Sequence, residues 1–72
     1  MIALERAVEK IQNVLANIDR DLRREEEEVI RQVREDKEPH MWIVNVKQIV
    51  EHNTRAQIWR EALRLLQEEE TG

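Results

Sequence analysis

Apolar residues return along the first half of the chain in steps of four and three: Leu4, Val8, Ile11, Leu15, Ile18, Leu22 and then Val29. A stripe with this heptad spacing marks an α-helix that lays one narrow face against another helix. It predicts a first helix over about residues 2–36, ~50 Å long at 1.5 Å rise per residue. With Val8, Leu15, Leu22 and Val29 at the a positions, the d positions are Leu4, Ile11, Ile18, Glu25 and Gln32. The stripe therefore turns polar at Glu25. Ile30 and Val33 fall off the heptad beyond it, which predicts that the apolar face slips by one residue there.

The run Asp36-Lys37-Glu38-Pro39-His40 is the one strong break. Proline drives the preceding residue out of the α region and suits the first turn of a new helix. So short a connection makes its flanking helices antiparallel neighbours. A second stripe follows through Trp42, Val46, Ile49, Asn53, Ala56, Trp59, Leu63 and Leu66, predicting a second helix over about residues 40–68. Two features compete with a continuous helix there. The β-branched residues between Trp42 and Val50 favour a short strand, and Thr54 with Gln57 three residues later has capping-box spacing for a fresh start near 51–54. The glutamates at 68–70 crowd a helix end where the dipole disfavours negative charge, so the last turn is expected to fray.

The expected fold is all-α: a single domain over 1–72, built as an antiparallel helical hairpin. Its seam is Leu4, Val8, Ile11, Leu15, Ile18, Leu22 and Val29 against Val46, Ile49, Ala56, Trp59, Leu63 and Leu66. Composition agrees, with 39% charged residues, 40% hydrophobic residues, one Gly and one Pro in 72 residues. The glutamates at 25–28 lie among arginines and read as a solvated, ion-paired helix face. Arg23–Glu27, Arg24–Glu28, Glu27–Arg31 and Arg31–Glu35 have the i,i+4 spacing worth about 0.2–0.5 kcal/mol each.

Chain length turns this hairpin into an expected oligomer. Ordering 72 residues costs on the order of 100 kcal/mol, and two helices share one seam. There are no cysteines to cross-link it. Self-association into a homodimer or higher homo-oligomer, such as a four-helix bundle, would cover the shoulder residues Ala7, Ile30, Ile43, Val50, Ile58 and Leu65. Trp42, next to the turn, is a candidate anchor for a protein partner, because tryptophan is enriched at binding hot spots.

The chemical inventory works by exclusion. The chain has no Ser, Cys or Tyr, and its one glycine is terminal. Serine or cysteine nucleophiles, phosphate-cradling loops and dinucleotide fingerprints are thereby excluded. His40 and His52 lack metal-ligand spacing, and no metal or cofactor is expected. Glu25 and Glu28 have the ExxE spacing of magnesium sites in all-α nucleotide pyrophosphatases, but the return helix offers no matching acidic pair. A net charge of −4 disfavours nucleic acid. The sequence shows neither a signal peptide nor a membrane span, so a cytoplasmic protein is expected.

One coincidence remains. Folding about residues 38 and 39 would set Glu25 level with His52 and Asn53, so interruptions of both stripes fall at one height. The first reading is a polar layer that fixes register. The second is simple exposure of these residues, and the third is a pocket where Arg20, Arg24 and Arg55 surround a small anionic compound such as a nucleotide. The function expected is that of a non-enzymatic interaction protein that binds or blocks another macromolecule. A ligand-sequestering oligomer is the alternative, and nucleic-acid binding is weaker still.

Overall fold

The computed structural model describes the backbone of residues 2–71 and the side-chain surroundings of residues 2–69. Two helices, α1 (Ile2–Arg34) and α2 (Pro39–Thr71), pack against each other as an antiparallel hairpin. Among the described residues there is no strand. The β-branched stretch after Trp42 is helical because that spacing lets Trp42, Val46 and Ile49 reach the seam, and their contact with α1 outweighs a weak local preference. Residues 51–54 are helical as well. Thr54 caps nothing; its hydroxyl donates to the carbonyl of Val50, 3.0 Å away, one turn back in the same helix. The terminal glutamates do not end α2 early, since it continues to Thr71.

The turn differs in detail from the sequence expectation. α1 stops at Arg34 and not at 36, because Asp36 takes a left-handed conformation with φ 57°. The Lys37 N–H then donates to the Gln32 carbonyl at 3.0 Å and the Asp36 N–H to the Val33 carbonyl at 3.0 Å. This pair of bonds is a Schellman cap, which satisfies carbonyls that the helix end would leave orphaned. Pro39 opens α2, and the Glu38 carbonyl accepts from the Met41 N–H at 2.9 Å. The apex of the hairpin is therefore near residues 36 and 37, about two residues before the position that Pro39 suggested. Glycine normally holds the left-handed position of such a cap, since a Cβ there costs ~1–2 kcal/mol. Asp36→Gly is expected to raise the urea midpoint, by about 0.5–1 kcal/mol in stability, whereas Asp36→Val should lower it.

The hairpin measures 53 × 14 × 13 Å. Its radius of gyration is 16.4 Å, against ~11 Å for a compact chain of this length. A rod of this shape has a seam in place of a centre. Among the described residues, Val8, Ile11, Ile18 and Ala56 are the buried apolar ones. Leu4, Leu15, Leu22 and Val29 of α1 are half-buried, as are Val46, Ile49, Leu63 and Leu66 of α2. Trp59, expected in the core, lies at the seam's edge with 37% of its surface exposed.

The expected slip after Glu25 does not occur. Ile30 and Val33 remain exposed, at 51% each, whereas Glu25, Val29 and Gln32 are half-buried. α1 keeps its heptad frame to the end because partners for Glu25 and Gln32 are present across the seam. Of the expected arginine pairs on α1, Arg31–Glu35 forms, while Arg23, Arg24 and Arg31 take other partners in place of the remaining three. Arg23 pairs with Asp19 at 3.4 Å and Arg24 with Asp21, both toward the helix N-terminus. Arg31 bridges Glu28 and Glu35.

Candidate functional site

Two half-buried polar residues of α1, Glu25 and Gln32, meet half-buried Asn45 of α2 across the seam. Its side-chain amide donates to Glu25 Oε2 at 2.8 Å, and its carbonyl oxygen accepts from Gln32 Nε2 at 3.3 Å. Gln32 also donates to Glu28 Oε1 at 3.0 Å. Glu28 in turn accepts from Arg31 Nε at 3.0 Å, and Arg31 reaches on to Glu35. One α2 side chain thus ties together two α1 residues a heptad apart. This is a hydrogen-bonded ladder that runs from the seam out to solvent. Its outer end is charged, and Arg31 holds the Glu28 carboxyl below the usual carboxylate range, chiefly by hydrogen bonding and against a smaller opposing effect of burial. The Arg31 guanidinium is shifted upward by the same contact.

The ladder fixes the register. Asn45 lies midway between the levels of Glu25 and Gln32, which sets His52 near Asp21 and Leu22. Glu25 and His52 are thus about one helical turn out of step. The layer expected from Glu25, His52 and Asn53 does not form. Glu25 binds Asn45 instead, while Asn53 is exposed. Half-buried His52 has Nδ1 3.2 Å from Arg55 Nη2, an interaction within α2 alone. The displacement follows from the turn, because a Schellman cap at Asp36 moves the apex toward the N-terminus and every facing pair with it.

The arginines expected around an anion do not converge. Arg20 and Arg24 line a shallow depression on the outer face of α1, with Ala16, Asp19, Arg23 and Glu27. Every residue of that lining belongs to α1, and Arg55 of α2 is not part of it. The guanidiniums already have partners, Arg20 with Asn17 Oδ1 at 3.0 Å, Arg23 with Asp19 and Arg24 with Asp21. Trp42 is half-buried at the turn end of the seam. Among the described residues no group of three or more His, Asp or Glu side chains is arranged to hold a metal ion. Among the same residues, no helix is long and apolar enough to cross a membrane.

Compared with protein-family models, curated proteins and solved structures, the chain matches none. Its function must be argued from its own surfaces. Sequence reasoning placed Glu25 at a seam position but passed over Asn45, which sits between Val44 and Val46 in an apolar stretch. A usable signal was present. Counting back from Ala56 in strict steps of four and three gives His52, Ile49, Asn45 and Trp42, a frame that excludes Asn53.

Proposed function

We propose that this chain is a non-enzymatic interaction module, a helical hairpin that self-associates and acts by binding or blocking another macromolecule. The observation that carries this reading is the imbalance between enclosed and open apolar surface. Among the described residues four apolar ones are buried, while Ile2, Ile30, Val33, Met41, Ile43, Val44, Val50, Ile58 and Leu65 each keep half or more of their surface exposed. Scattered exposed apolar residues are ordinary, but rows of them along a helix mark a surface that expects cover. Ile30, Val33, Met41 and Val44 gather within about two helical turns of the hairpin apex. That end is suited to a macromolecular partner, with Trp42 beside it at the mouth of the seam.

Sedimentation equilibrium combined with thermal-shift measurements tests the proposal. Self-association should give a mass above 8.7 kDa at micromolar concentration, and a melting temperature that rises with protein concentration. A strict monomer overturns it. A large saturable shift with nucleotides or other small anions would instead favour a ligand-sequestering protein, against the paired arginines of α1.

A further inference from the structure

α2 is apolar on two opposite sides. Trp42, Ile49, Ala56, Leu63 and Leu66 face α1. The second row, Ile43, Val50, Ile58 and Leu65, is exposed at 52%, 59%, 64% and 54%. Thr54, at the middle of this row, stands two residues from both His52 and Ala56, about 200° around a helix of 3.6 residues per turn. The row therefore runs along the back of α2 for ~33 Å. By contrast, the back of α1 carries Arg20, Arg23, Arg24 and Glu27.

The order of residues along that back face identifies what covers it. Counting outward from Thr54, Val50 and Ile58 lie four residues away on either side, Lys47 and Glu61 seven, and Ile43 and Leu65 eleven. Turned end over end about Thr54, the face meets itself with apolar on apolar and cation on anion. A two-fold symmetric contact demands this self-complementarity, since each residue must suit the one that its own symmetry mate presents.

We infer that the back of α2 binds a second copy of this chain, antiparallel, with the two-fold axis at Thr54 and Lys47 of each copy paired with Glu61 of the other. The local geometry fits. Thr54 is short, and its hydroxyl is already turned into its own helix toward the Val50 carbonyl, so two helices can approach closely at the axis. A largely apolar groove beside it, lined by Thr54, Gln57, Ile58, Glu61, Ala62 and Leu65, receives Val50 and Ile43 of the second copy. Glu61 is held by Arg64 on its own helix, with the Glu61 carboxyl lowered and the Arg64 guanidinium raised by that contact. The Glu61 carboxylate stands on this exposed face, where an incoming lysine can reach it. The assembly is a layer with the two α2 helices inside and the two α1 helices outside, charged faces outward.

This inference rests on the self-association proposed above, and charge variants separate the two. Lys47→Glu and Glu61→Lys each place like charges opposite one another twice per dimer, and each should raise the dimer Kd roughly tenfold while far-UV circular dichroism stays unchanged. An equimolar mixture of the two should recover the wild-type Kd, because a mixed dimer restores two opposite-charge pairs. Ile58→Glu should yield a folded monomer. If the wild type is itself monomeric, the inference and the proposed function both fail. If the wild type associates but the charge variants do so equally well, or the mixture is no tighter than either variant alone, the Thr54-centred contact is wrong and self-association uses another face.

Discussion

Ile18→Ala is expected to lower the stability of the hairpin by about 2–5 kcal/mol, the usual range for truncating an enclosed isoleucine. Ile18 is 4% exposed, the most enclosed of the large apolar residues, and it packs at the height of Ala56, itself 2% exposed. A folded domain has ~0.05–0.15 kcal/mol of stability per residue, so one substitution would remove about a fifth of the total or more. The seam explains why the loss is not shared out. In a rod 14 Å thick there is no second layer of side chains to relax into the cavity. Urea titrations at one fixed protein concentration measure the effect, since association itself adds stability. Ile30→Ala, at a position 51% exposed, is the control and should stay within about 0.5 kcal/mol of wild type. Similar shifts for both would mean that the seam does not hold the fold together in the way its burial indicates.

The second large effect is expected at the polar ladder, and its sign depends on how many residues are changed. Asn45→Leu alone removes the donor that Glu25 accepts from at 2.8 Å and leaves Gln32 without its partner across the seam. Stranding half-buried polar groups in this way costs ~1–3 kcal/mol. Changing both residues, Glu25→Leu with Asn45→Leu, removes acceptor and donor together. It should bring stability to wild type or above it, by as much as ~1–4 kcal/mol. Alignment is what the double variant loses. Only the Asp36 cap then opposes a register shifted by a heptad, and the variant should show several sets of amide resonances where the wild type shows one. If the single Asn45→Leu variant is as stable as wild type with one set of resonances, the ladder contributes nothing to register.

The first helix was the most legible part of the chain. Its heptad survives unbroken from Leu4 to Gln32, and charge pairs and the scarcity of glycine support the same element. The antiparallel return was equally plain from Pro39. Register was harder to read, because proline announces where a helix starts and not where the previous one stops. The stop was set by Asp36 in a left-handed conformation, for which aspartate is a weaker sequence signal than glycine. A shift of about one turn followed, enough to assign Glu25 to His52 and Asn53 in place of Asn45. The second helix was also harder to frame. With apolar residues on both of its sides, either Val46 or Asn45 can be taken as the inward position, and only contact with α1 decides between them.

The position of the ladder along the rod bears on how the chain closes. Asn45 is 13 residues from Gln32 and 20 from Glu25, whereas Ile18 and Ala56 are nearly twice as far apart in sequence as Glu25 and Asn45. Loop-closure entropy favours the shorter loops first. Zipping from the Asp36 cap outward brings Asn45 to its partners before the enclosed apolar residues can meet. The polar residues are thus placed to gate the folding route: a hairpin started one turn out of step would meet unpaired Glu25 and Gln32 while little apolar surface is yet buried, and would reopen at small cost. Substitutions in the ladder are therefore expected to slow folding and Ile18→Ala to speed unfolding, which stopped-flow measurements in urea would separate.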